Sequence, residues 1–158
     1  MDSSQNHTKI IGAHINLGNS RAANIQLNQS IIKNQYTFLS LNEPYTFENK
    51  ITSIPRNYKI IAHDNSPKAA ILIKDHIDCQ VVFINKHLVI IDIQFDSLNC
   101  LLISIYCPPM ENLQQQLFML QAWIEKFPEH RIILDCLVTL TPSPTFGATE
   151  TLMREETN

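Results

Sequence analysis

Three polar residues of this chain each close a run of aliphatic and β-branched residues. Asn16 ends Lys9-Ile10-Ile11-Gly12-Ala13-His14-Ile15, Glu43 follows Phe38-Leu39-Ser40-Leu41-Asn42, and Tyr106 ends Cys100-Leu101-Leu102-Ile103-Ser104-Ile105. Side chains at the ends of buried strands converge at one rim of a sheet sandwich, so the three can share a site although they are far apart in sequence. Glu43 is a hard oxygen ligand suited to Mg2+, which takes one or two carboxylates and keeps several waters. A metal so held neutralises charge on a phosphate in flight. Asn16 can hold a metal-bound water or a phosphate oxygen, and Tyr106 can hydrogen-bond the phosphate. Each residue also has an ordinary role open to it: Asn16 as a strand-ending turn, Glu43 as a surface acid before a proline, Tyr106 as an amphipathic edge of the core.

A fourth buried run, Arg131-Ile132-Ile133-Leu134, precedes Val138-Thr139-Leu140-Thr141-Pro142. Those five residues offer neither carboxylate nor amide, and a site that cleaves phosphodiesters needs both. An apolar residue there takes no proton and binds no charged oxygen.

The elements that must position these residues follow from periodicity. Lys9 to Ile15 reads as a strand bounded by the turn Leu17-Gly18-Asn19, and Asn19 or Ser20 can cap a helix whose apolar stripe is Ala23, Leu27 and Ile31. Phe38 to Leu41 is a second strand, stopped by Pro44. From Tyr58 to Tyr106 the chain is mostly strands: Tyr58 to Ile61, Ala69 to Ile73, Val81 to Ile84, Leu88 to Phe95 and Cys100 to Tyr106. Several are continuously apolar, so layers should cover both faces. Asn85-Lys86 and Asp96-Ser97-Leu98-Asn99 suggest antiparallel hairpins. A second helix carries Leu113, Leu117, Leu120, Ile124 and Phe127 on one stripe, is ended by Pro128, and places Trp123 near the core. Thr139 to Thr151 reads as loop. The pattern predicts a mixed α/β layered domain with helices packed outside sheets that pack on each other.

Composition narrows the class. At 158 residues the chain fits one domain with a real core, and a net charge of -3 gives no global pull toward nucleic acid. Any DNA contact must come from a local patch, for which Lys50, Arg56, Lys59 and Lys68 are the nearest candidates; an ordinary solvated surface is the other reading of those four. Cys79, Cys100, Cys107 and Cys136 form no CxxC pair and sit among strand-like neighbours, as small core residues of a reducing compartment do. The six histidines show no metal-ligand spacing, and three glycines make no phosphate-cradling loop. No apolar run is long enough to span a bilayer, and residues 1–8 are polar without the composition of a leader, so a soluble intracellular protein with a disordered start is expected.

The flanks of these residues carry a resemblance. Ile15-Asn16-Leu17-Gly18-Asn19-Ser20-Arg21-Ala22-Ala23, Asn42-Glu43-Pro44-Tyr45, Ile105-Tyr106-Cys107-Pro108-Pro109 and Ser143-Pro144-Thr145-Phe146-Gly147 occur in this order. The ordered set resembles the endonuclease domain of jockey-like non-long-terminal-repeat retrotransposons, of the endonuclease/exonuclease/phosphatase superfamily, over about residues 9–151. The resemblance implies a four-layer αββα sandwich and Mg2+-dependent nicking of target DNA, whose 3′ hydroxyl primes a reverse transcriptase fused downstream in an intact element, with a nuclear place of work. It assigns an active-site amide to Asn16, the metal-binding carboxylate to Glu43 and a phosphate-orienting phenol to Tyr106. Asn42 stands where the family usually has Gln, a swap that keeps the amide.

The departure lies before Ser143. The family has Gly-Asp-Phe-Asn-Ala-His there, and counting back without a gap places Val138, Leu140 and Pro142 at the Asp, Asn and His positions. Gly-Asp-Phe-Asn-Ala encoded GGT GAC TTT AAC GCC reads, one base later, Val-Thr-Leu-Thr-Pro, which is Val138 to Pro142. The tail Leu152-Met153-Arg154-Glu155-Glu156-Thr157-Asn158 contains, in another frame, an echo of the family's Asn-x-Arg-Gly stretch. Residues 152–158 are therefore expected to be a non-homologous tail on a domain incomplete at its C-terminus, lacking the Ser/Thr-Asp-His motif that supplies the family's catalytic histidine. His87 and His130 stand outside any such motif and receive no role. Unpaired sheet edges and uncovered apolar faces are expected to favour self-association. Three readings follow: an endonuclease by descent with its acid/base machinery lost, a surviving nucleic-acid or protein binding module, and a decayed gene product without function.

Overall fold

The computed structural model describes residues 10–108, 113–137 and 149–152. The run after Ile10 forms β1 (Ile11–Asn16), and the turn at Leu17-Gly18-Asn19 delivers the chain to α1 (Arg21–Asn34). Ser20 is the N-cap: its backbone is extended, and its Oγ accepts from the Ala23 amide at 3.2 Å, satisfying one donor of the first turn. Gln35 turns left-handed (φ 51) and returns its amide to the Ile31 carbonyl, which ends the helix. Then come β2 (Phe38–Asn42), a small hairpin of β3 (Thr46–Phe47) and β4 (Lys50–Ile51), and the strands β5 (Tyr58–Ala62), β6 (Ala69–Lys74), β7 (Cys79–Ile84), β8 (Leu88–Phe95) and β9 (Leu98–Tyr106). After α2 (Leu113–Ile124) follow β10 (Arg131–Leu137) and β11 (Thr149–Leu152).

These strands make two principal sheets, one in the order β11-β1-β2-β6-β5 and the other β10-β9-β8-β7. β1 runs parallel to β2 and β9 to β10; the remaining neighbours are antiparallel. Alternation along β2 shows how the layers stack. Leu39 and Leu41 join Ala13, Ile15 and Leu72 against Leu27 and Ile31 of α1, whereas Phe38 points the other way, with Ile71 and Ile73, onto Val89, Ile91 and Leu102 of the second sheet. The opposite face of that second sheet, through Leu88, Ile90, Leu101 and Ile103, takes Leu120, Trp123 and Ile124 of α2. Three apolar clusters thus separate helix, sheet, sheet and helix. This explains why β2, β6 and β9 are buried along almost their whole length: each has a layer on both faces. Burying one such Leu or Ile side chain contributes roughly 1.5–3 kcal/mol.

Gly12 shows how tightly the sheets meet. A β-carbon there would lie 2.6 Å from Cε2 of Phe38, so only glycine lets that ring lie across β1 into the inter-sheet core.

Several expectations need correction. Within Thr139 to Thr151, read as loop, Thr149 to Thr151 are strand: β11 pairs antiparallel with β1, Thr149 opposite His14 and Leu152 opposite Ile11. A Thr-rich stretch has β-propensity that an apolar pattern does not reveal. The α2 stripe is apolar in sequence but buried only in its second half, since Leu113 and Leu117 are exposed while Leu120 is 4% exposed. The helix stops at Ile124, before Pro128. Trp123 does join the core, its ring 5.3 Å from that of Phe83. The segment from Val138 to Pro142 and that from Ser143 to Gly147 lie outside the described residues.

Candidate active site at the rim of the two sheets

Parallel pairing of β1 and β2 brings their carboxyl ends to one edge, with Asn16 in register with Asn42. Glu43 follows at once. Pro44 disfavours a right-handed helical conformation for the residue before it, and Glu43 is left-handed at φ 46, a conformation that costs an L-residue about 1–2 kcal/mol. Its backbone is fully held: its amide donates to the Lys68 carbonyl at 2.8 Å and its carbonyl accepts from Asn19 at 2.8 Å. The turn thereby aims the carboxylate at the second sheet.

There it meets β9. The Tyr106 hydroxyl donates to Glu43 Oε1 at 2.9 Å, joining two of the three sequence candidates across the sandwich. Beside this bond Asn42, fully buried, donates from Nδ2 to the Ile105 carbonyl at 3.2 Å, while its Oδ1 has no partner among the described residues. Asn16 stands on the neighbouring strand end, and its Oδ1 accepts from the Gly18 amide at 2.9 Å. It therefore performs the turn role read as its alternative, on a strand end in register with Asn42, the residue before Glu43. The structure brings Glu43 and Tyr106 into contact and sets Asn16 one strand away.

Two residues back along β1 and β2, on the same face, the polar column continues. His14 Nδ1 lies 3.3 Å from Ser40 Oγ, and Ser40 donates to Ser104 Oγ at 2.8 Å. With its proton spent on Ser104, the Ser40 oxygen is an acceptor, which makes His14 Nδ1 the donor and leaves Nε2 unprotonated, buried and without a partner among the described residues. Desolvation by burial holds this imidazole below its ordinary range. Sequence reading missed this link because Ser40 and His14 sit inside apolar runs; strict alternation, which puts them on the face of Asn16 and Asn42, was the available signal.

It also passed over two neighbours. His87, in the turn between β7 and β8, accepts the Tyr106 amide on its carbonyl at 2.8 Å and sets its ring 6.0 Å from the Tyr106 ring. Asp135, just after the apolar part of β10, is paired in register with Ser104. His130, by contrast, lies 3.2 Å from Asp92, well away from Glu43.

The four basic candidates do not form one patch. Lys68 stands at this rim; with the Asn19 amide turned to satisfy both neighbours, its Nζ donates to Asn19 at 3.2 Å. Arg56 and Lys59 lie at the opposite end of the first sheet, where Lys59 is held by the Ile77 carbonyl at 2.6 Å. A cleft of about 910 Å3 is also at that far end, between α1 and residues 53–57. It is lined by Arg56, Lys74 and His76 with Asp75 over isoleucines, whereas the candidate chemistry converges on the rim. Among the described residues no three His, Cys, Asp or Glu side chains group as a metal cluster. Glu43 offers one carboxylate, the least that Mg2+ takes from a protein while keeping several waters. Also among the described residues, no helix is long and apolar enough to cross a membrane.

No protein-family model matches the sequence, and no curated protein matches it. Solved structures do match in fold. The endonuclease domain of TRAS1, a telomere-specific non-LTR retrotransposon, superposes with a TM-score of 0.65 at 20% identity, over 78% of this chain and 56% of that one. TDP2 of D. rerio, complexed with a single-strand DNA product, gives 0.54 at 14% identity over 79% and 58%. TDP2 of Caenorhabditis elegans gives 0.52 at 13% over 84% and 48%. The chain thus spans less than two thirds of the length of each of these structures. Its architecture of paired sheets flanked by helices is the fold that these structures share.

Proposed function

We propose that this chain is a DNA endonuclease domain by descent, of the retrotransposon kind, that keeps the phosphate-facing half of its site and has lost the half that activates water. The single observation that carries this is the Tyr106–Glu43 hydrogen bond at the carboxyl ends of β9 and β2, which joins two of the residues to which the resemblance assigns an active-site role. The likeness in fold to a retrotransposon endonuclease and to a TDP2 structure holding DNA supports the same reading.

In this reading Glu43, with Asn16 on the neighbouring strand, would hold Mg2+, which when bound would supply charge neutralisation for a phosphate. Tyr106 fixes the carboxylate's direction through its hydroxyl. The buried bonds of Asn42, Ser40 and Ser104 hold the two sheets in the register that this contact needs. Hydrolysis further requires a group that takes a proton from water, and Val138 and Leu140 cannot supply one. The partner is DNA, met in the nucleus, with a reverse transcriptase fused downstream in the intact element. Residues 9–151 carry the domain in this reading. Fluorescence anisotropy with duplex DNA tests the binding half of this reading. Weak binding that falls steeply with salt supports it, and no binding at low salt refutes it.

A second reading, a binding module for a nucleic acid or protein, is favoured by the same loss of acid/base groups at the site. A gene product without function would show no DNA binding.

A further inference from the structure

A small pocket of about 250 Å3 opens at the rim against the backbone of Glu43, lined by Asn19, Tyr45, Thr46, Ser66, Pro67 and Lys68. Three segments build it: the turn that leads into α1, the residues just after Pro44, and the loop before β6. Hydrogen bonds fasten them together. The Asn19 amide donates to the Glu43 carbonyl at 2.8 Å, and the Glu43 amide donates to the Lys68 carbonyl at 2.8 Å. Ser66 donates from its amide to the Asn49 carbonyl at 2.9 Å and from Oγ to Asn49 Oδ1 at 2.7 Å, which ties the loop to the β3–β4 hairpin. The Lys68 amide donates in turn to the Lys86 carbonyl at 2.7 Å, in the β7–β8 turn of the second sheet. The pocket is thus preformed, and a ligand entering it pays little for ordering the walls.

The chemistry of the lining is that of an anion site. Five of its six residues are polar and none is acidic. Lys68 is half-buried, and the polar partner of its Nζ among the described residues is the neutral Asn19 side chain at 3.2 Å. No carboxylate of the described residues pairs with it. An ammonium carries three donors, so two stay available. Partial burial takes water from this charge, and an anion in the pocket would replace the lost hydration with charge-assisted hydrogen bonds. The volume is several times the roughly 30 Å3 that a water occupies in the liquid, enough for a phosphate group that keeps part of its hydration. A chain of net charge -3 has no global attraction for DNA, so its affinity must come from such local cations. Resting on the DNA reading above, we propose that this pocket is a second phosphate subsite, in which Lys68 holds a backbone phosphodiester of DNA flanking the one presented to Glu43. Its task is to hold the strand, and it touches no reacting atom.

The test is fluorescence anisotropy of the full chain with a labelled duplex over a range of salt, without metal. Each phosphate neutralised by a protein cation contributes about 0.9 to the slope of log affinity against log salt. Lys68→Gln is therefore expected to lower that slope by about 0.9 and to weaken binding about tenfold at low salt, whereas Lys68→Arg should keep both. Arg56→Gln, which removes the same charge at the opposite end of the first sheet, should leave the slope unchanged. Circular dichroism shows whether each variant is folded. If the glutamine variant unfolds, the unaltered protein decides: in limited acetylation read by peptide mass spectrometry, Lys68 should be modified less when the duplex is bound, and Lys74, at the far end, equally with and without it. An unchanged slope in folded Lys68→Gln, an equal loss in Arg56→Gln, or equal acetylation of Lys68 with and without duplex overturns the subsite and leaves the DNA reading standing. Absence of DNA binding by the intact protein overturns the DNA reading, and the subsite falls with it.

Discussion

Tyr106 and Glu43, separated by 63 positions in the sequence, meet through a hydroxyl-to-carboxylate hydrogen bond of 2.9 Å that ties the end of one sheet to the end of the other. Tyr106 is 8% exposed, so the bond is shielded at the phenol and open to solvent on the carboxylate side. Tyr106→Phe should therefore cost about 1 kcal/mol, the net worth of one such bond. Urea unfolding checks this: the midpoint should fall with an unchanged slope. An unchanged midpoint would mean that the contact does not hold the rim together.

The buried pair below it should couple more strongly. Ser40→Ala leaves Ser104 and His14 Nδ1 short of a partner, and Ser104→Ala strands the Ser40 proton, so each should cost roughly 1–3 kcal/mol. The double variant should cost clearly less than the two added together. A double-mutant cycle measures the difference, and strict additivity would contradict the shared network.

His14 should make stability depend on pH in one direction. Burial holds its imidazole below the ordinary value of 6.5. As pH falls through 6.5 the unfolded chain takes up a proton that the folded chain still refuses, so folding stability declines from there downward until the lowered folded value is reached. Above that window His14 contributes no slope. Urea midpoints measured across this range should fall with acidification in the intact protein and fall less in His14→Gln; equal slopes would place the acid sensitivity elsewhere.

Gly12→Ala should destabilise by about 1–3 kcal/mol through overpacking, because its β-carbon meets the Phe38 ring. Thermal unfolding of this variant, with Gly12→Ala/Phe38→Leu as the compensating change, checks the cause: the second change should recover part of the loss.

Much of the fold is legible in the sequence, and what is hidden is hidden for physical reasons. β2, β6, β8 and β9 are read from largely apolar runs because they are sandwiched between layers, and α1 is read from Ser20 and the Ala23, Leu27 and Ile31 stripe. The β3–β4 hairpin is two residues per strand, too short for any period to register. β11 is polar and exists by pairing with β1. At the rim, Glu43 and Tyr106 are legible as strand-end polar residues. His87 is not, because its place beside Tyr106 follows from the pairing of β8 with β9, a long-range register that local pattern does not encode.

Supercoiled-plasmid nicking with Mg2+ tests the central claim most directly, using this chain beside a version in which residues 137–142 are replaced by Gly-Asp-Phe-Asn-Ala-His. The account predicts that the unaltered chain binds DNA and leaves the plasmid supercoiled, because Val138 and Leu140 stand where the resemblance expects the Asp and Asn that help position the attacking water and the phosphate. Nicking by the unaltered chain that requires Mg2+ and disappears in Glu43→Gln would contradict it.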